Sequence, residues 1–73
     1  MLSLLYEVEG YRARVERDRD GMLHGRVLDI DDVITFKAIS VRFIERNFTR
    51  ALYAYFERCN NLGLKPEEPK PMY

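Results

Sequence analysis

The sequence predicts an α+β domain: a three-stranded antiparallel β-meander followed by one long α-helix packed on one sheet face (β-β-β-α), with an extended, proline-rich C-terminal tail. Three observations carry this expectation. Tyr11 to Glu16 alternates apolar and charged residues, the period-two signature of a half-buried strand. From Val41 onward apolar residues recur at helical spacing. Polar punctuation separates the segments, at Asp18-Arg19-Asp20-Gly21 and at Asp29-Ile30-Asp31-Asp32.

The first strand is expected from Tyr11, with Tyr11, Ala13 and Val15 on one face and Arg12, Arg14 and Glu16 on the other. Leu4, Tyr6 and Val8 alternate in the opposite phase, which predicts a bulge or bend at Gly10. The Asp18 to Gly21 tetrad reads as a turn, because aspartates hydrogen-bond their own backbone and Gly accepts positive φ. A second strand is expected over Met22 to Leu28 and a third over Val33 to Ala38. Ser40 then reads as the N-cap of the helix. Its apolar stripe is Val41, Ile44, Phe48, Ala51, Leu52, Tyr55, Phe56, Cys59 and Leu62, and Gly63 closes it. Lys65 to Tyr73 holds all three prolines and reads as an extended tail with no core of its own.

A chain of 73 residues supports one core and one domain, residues 1–73. The hydrophobic share of 47% and charged share of 33% are those of a folding chain. Twelve basic and twelve acidic side chains cancel, so no long-range field selects nucleic acid or an anionic membrane as the default partner. The single cysteine and the absence of a signal-peptide pattern at Met1 to Glu9 point to a reducing cytosol. No apolar run reaches the length of a membrane-spanning helix. So small a core, with no disulfide to brace it, favours a partner subunit.

No residue set spells out catalysis. Asp29, Asp31 and Asp32 lack the Gly and distal Glu of a calcium loop, and read as caps of a tight link. His24 has no second His or Cys at zinc-ligand spacing and reads as a solvent-facing strand residue. Cys59 falls on the apolar stripe and reads as a core thiol. No glycine opens a phosphate-binding loop, and no cofactor or metal is expected. Two surfaces remain as binding candidates. On the helix, Phe43, Arg46, Arg50 and Tyr53 lie off the apolar stripe and are residue types enriched at protein interfaces. On the open sheet face, Arg12, Arg14 and Arg26, with Tyr11 or His24, are positions a single-stranded nucleic acid could use.

The stretches EGYRARVE, DGMLHGRVLDIDDVITF, the helix opening SV and the closing LYAYFERCNNLGLKPEEP resemble the HicB-type antitoxin domain. In that family a strand, strand, strand, helix unit carries patterns such as GYTARVE, DG-F-HGRVLGI-D-ITF and YL-FC-ELG-EPE. The likeness runs from Glu9 to Pro69, and Asp29 stands where the family usually has Gly. It implies a small bacterial protein that binds and silences a basic, HicA-type RNA-cleaving toxin and represses its own operon through a C-terminal DNA-binding segment. Here Lys70-Pro71-Met72-Tyr73 stands where that segment would continue, so DNA binding by this chain alone is not expected. The family's helix is acidic where this one has Arg42, Phe43, Tyr53 and Ala54, a change that turns expectation from toxin capture toward a homodimer. The expected function is therefore non-enzymatic protein binding. Toxin neutralisation and weak RNA binding are the alternatives.

Overall fold

Ser3 to Val8 sets Leu4, Tyr6 and Val8 on alternate positions, with Ser3, Leu5 and Glu7 between them, and it forms a strand of its own. In the computed structural model, which describes residues 3–70, β1 (Ser3–Val8), β2 (Tyr11–Arg17), β3 (Leu23–Val27) and β4 (Thr35–Ala38) make one antiparallel sheet in chain order. A 3-10 turn, Val41–Phe43, leads into α1 (Ile44–Asn61). The α+β class, the meander and the helix on one face agree with the sequence reading, whereas the strand count rises from three to four. The strands expected over Met22 to Leu28 and Val33 to Ala38 are shorter than expected. Residues 71–73 of the expected tail lie outside the described residues.

The phase change at Gly10 is a two-residue hairpin, not a bulge. Val8 pairs with Tyr11, Tyr6 with Ala13 and Leu4 with Val15, so even positions of β1 share a face with odd positions of β2. Glu9 and Gly10 have φ of 49° and 83°, the positive values that a type I′ turn requires at both central positions.

The face so formed carries the core. Val15 and Leu23 of the sheet and Ile44, Phe48 and Leu52 of α1 are fully buried, each contributing about 1.5–3 kcal/mol. Of the nine stripe residues, Tyr55 and Cys59 are also buried, and Ala51 and Phe56 pack half-buried against the core. Val41, in the 3-10 turn, and Leu62, the C-cap, lie outside α1 and are 47% and 66% exposed. The Phe36 ring stacks on Phe48 at 5.1 Å and 5° and covers Gly25, the residue opposite it in β3.

Both helix ends are backbone structures. At the C-terminus Gly63, with φ 71°, donates to the Asn60 carbonyl at 3.2 Å while Leu64 donates to Cys59 at 2.8 Å, the double closure of a Schellman motif. At the N-terminus the Ser40 carbonyl accepts from the Phe43 amide at 3.1 Å, but its hydroxyl makes no cap bond. The Ser40 side-chain cap is thus corrected: Oγ is buried with no hydrogen-bond partner. Because an unpaired buried hydroxyl costs free energy, Ser40→Ala should raise stability, by up to about 1 kcal/mol in urea denaturation. A loss of stability would restore the cap.

Candidate functional site

The Asp-rich link is a clasp for the tail. Asp29 takes a left-handed φ of 65°, which Asp tolerates better than most residues, and this turns the amides of Asp31 and Asp32 toward the Glu67 carboxylate. Those amides donate to Oε1 at 2.9 Å and Oε2 at 2.8 Å. Glu67 also donates its own amide to the Tyr55 hydroxyl at 2.9 Å, and its carbonyl accepts from the Tyr11 hydroxyl at 2.5 Å. Tyr55 in turn donates to Asp32 Oδ2 at 2.8 Å. Lys70 closes the arrangement, through its amide to the Asp29 carbonyl and its Nζ to Asp31 Oδ1, both at 2.8 Å. Through Lys70 the tail has no helix or strand, and these contacts fix it onto the fold.

These contacts set the titration of the tyrosines. Burial pushes the Tyr55 phenol up to about 12, helped by its bond to the Asp32 carboxylate. Burial likewise raises Tyr11, reinforced by Glu68. Between pH 10.0 and about pH 12 the unfolded chain has released the Tyr55 proton and the folded chain still holds it, so stability falls as pH rises through that window. Tyr55→Phe should flatten this alkaline decline in a urea-midpoint profile. It should also lower stability at neutral pH by about 1 kcal/mol through the lost hydrogen bonds.

Among the described residues no three His, Cys, Asp or Glu side chains gather in a way that could hold a metal ion. The carboxylates expected to cap a link are spent on it: Asp29 pairs with Arg12 at 2.8 Å, Asp31 with Lys70 and Asp32 with Tyr55. Cys59 is buried. His24 faces solvent, its Nε2 2.6 Å from Asp18 Oδ2. This contact, before any other, holds the Asp18 carboxyl below its ordinary value. Asp18 Oδ1 meanwhile accepts the amides of Asp20 and Met22, both at 2.9 Å, which is the turn expected there.

The two candidate surfaces are placed as follows. On the open sheet face Arg14 sits directly opposite Arg26. Both are exposed, and neither has an ion-pair partner among the described residues. They border a shallow hollow of about 620 Å³ that also touches His24, Thr35 and Lys37. Arg12 lies on the same face, tied to Asp29. Tyr11 does not: it is buried on the helix side, which corrects the expectation that it could serve this face. On the helix, Phe43, Arg46 and Arg50 line a groove of about 390 Å³ with Met22, Ala38 and Ile39. Phe43 is half-buried against the core with the Arg42 guanidinium over its ring. Tyr53 is not part of that groove; its hydroxyl donates to the Glu9 carboxylate and its ring packs on Phe56.

Sequence reasoning missed Glu67, Tyr55 and Lys70 as partners of the link. The one available signal was a pair of glutamates fixed between Pro66 and Pro69, which marks a stiff segment without saying where it docks. Among the described residues no helix is long and apolar enough to cross a membrane. Comparison with family profiles, with curated proteins and with solved structures finds no match to this chain.

Proposed function

We propose that this chain is a non-enzymatic protein-binding domain of the HicB-antitoxin type, working as a homodimer. The observation that carries the reading is the backbone at Asp29. The family pattern usually has Gly at this position, and here the residue adopts the left-handed conformation, φ 65°, that favours Gly. Two of the stretches on which the resemblance rests, DIDD and KPEEP, also lock together through Glu67. A composition-driven coincidence gives no reason for either.

The surface charge guides the choice of partner. Arg14, Arg26 and Lys37 on the open sheet face repel a basic toxin, so capture of such a toxin on that face is disfavoured. Single-stranded RNA is disfavoured for another reason. The outward positions 12, 14, 16, 24, 26, 35 and 37 hold no Phe, Tyr or Trp on which bases could stack. The test uses the purified chain. Light scattering should return about twice 8.7 kDa, and titration with a labelled single-stranded RNA should show no salt-dependent binding. Binding that weakens steeply with salt would move the function to nucleic acid.

A further inference from the structure

We infer that β1 is the docking strand for a second copy of this chain, paired antiparallel about a two-fold axis at Leu5. This rests on the self-association proposed above and names its surface.

The two edges of the sheet are built differently. β4 is short, Lys37 lies within it, and the Asn47 side chain donates to the Lys37 carbonyl at 2.7 Å, which are the usual guards against edge pairing. β1 has six residues, with no Pro, Lys or bulge among them. A two-residue hairpin closes on a hydrogen-bonded pair, so Val8, Tyr6 and Leu4 bond across to β2, while the amides and carbonyls of Ser3, Leu5 and Glu7 point away from the sheet. The Arg12 carbonyl, opposite Glu7, obeys the same alternation: it accepts from Leu28 on the β3 side at 2.8 Å. None of the hydrogen bonds formed among the described residues outside the ladder reaches Leu5 or Glu7.

The side chains of β1 are also left unfinished. α1 packs more on β4 than on β1, so Leu4, Tyr6 and Val8 are only half-buried on the inner face. Leu5, on the outer face, is 61% exposed. Antiparallel pairing about Leu5 sets it against the partner's Leu5, Ser3 against the partner's Glu7, and Leu4 against the partner's Tyr6. Apolar meets apolar on both faces and no like charges are opposed, whereas centring the axis on Glu7 would set two glutamates face to face. The product is one eight-stranded sheet with both helices on the same side.

Sedimentation equilibrium on the wild-type chain, Leu5→Lys, Ile39→Lys and the double variant Phe43→Asp with Tyr53→Asp tests this, with circular dichroism to verify folding. Leu5→Lys opposes two cations across the axis and should weaken dimerisation at least about 100-fold, while the wild type, Ile39→Lys and the double variant stay dimeric. Leu5→Cys should form an intermolecular disulfide on mild oxidation, since hydrogen-bonded antiparallel partners sit about 5.5 Å apart at Cα. A Leu5→Lys variant that stays dimeric overturns β1 as the interface and leaves self-association standing. Dissociation of the Phe43→Asp with Tyr53→Asp variant instead assigns the interface to the helix and equally overturns β1. A monomeric wild type at every concentration overturns both proposals.

Discussion

Gly25→Ala is expected to destabilise the fold by about 3 kcal/mol, at the upper end of ordinary overpacking. A Cβ at this position would lie 2.1 Å from Phe36 Cζ and 2.4 Å from Cε2, far inside van der Waals contact. The ring cannot swing clear at low cost, because it is stacked on Phe48, which is fully buried. Relief requires Phe36 to leave its place over β3 and α1 to shift with Phe48. In a domain of this size each kcal/mol lowers Tm by roughly 4–8 °C, so the change is large in a thermal melt. Phe36→Leu should cost less in the Gly25→Ala background than in the wild type, a coupling that a double-mutant cycle reads directly. Additive losses would mean that the ring and the glycine do not share this space.

Glu67→Ala is expected to cost about 2 kcal/mol. The carboxylate accepts two amides of the link in charge-assisted bonds, the stronger class. Its loss also loosens the backbone that satisfies the Tyr11 and Tyr55 hydroxyls. Water can reach Asp31 and Asp32, which are exposed, and this keeps the cost below that of a buried ion pair. Glu67→Gln should fall between Ala and wild type, because its amide group presents a donor to one of the two N–H groups. Amide exchange at Asp31 and Asp32 should quicken in both variants while exchange in β2 keeps its protection. Unchanged exchange at the link would show that Glu67 does not hold it.

What the sequence made legible followed from local periodicity. The stripe from Ile44 to Cys59 identified the buried helix face, Gly63 the helix end, and Asp18 to Gly21 the turn before β3. Each depends on residues within a few positions of one another, where side-chain direction is fixed by backbone geometry. β1 was visible as an alternation but misread at Gly10, because Glu-Gly lies outside the Asn-Gly and Asp-Gly pairs that announce a type I′ hairpin. Phase inversion was the true signal: a two-residue turn must invert parity if one face is to stay apolar. Ser40 was misread for the opposite reason. A side chain suited to capping says nothing about whether the preceding backbone aims it at an amide, and here the 3-10 turn intervenes.

The clasp was illegible for a third reason. Glu67 meets Asp31 and Asp32 across 36 and 35 residues, and charge patterns carry no address at that range. The left-handed turn at Asp29 was equally hidden, since Asp occupies ordinary turns far more often than this conformation. The binding candidates were partly separated by folding. Arg14 and Arg26 were brought together on β2 and β3, whereas Phe43 and Tyr53 were drawn into contacts with the protein's own body. The pairing proposed at β1 was harder to see, because it rests in part on outward-pointing backbone groups that every edge strand has.

The most direct test of the central claim is amide exchange at Leu5 and Glu7 measured across protein concentration. Docking of a second copy on β1 predicts that both amides gain protection as concentration rises, in step with the growth of dimer mass, while Thr35 and Lys37 at the other edge do not change. Fast exchange at Leu5 and Glu7 at every concentration, in a sample whose core amides stay protected, would contradict it.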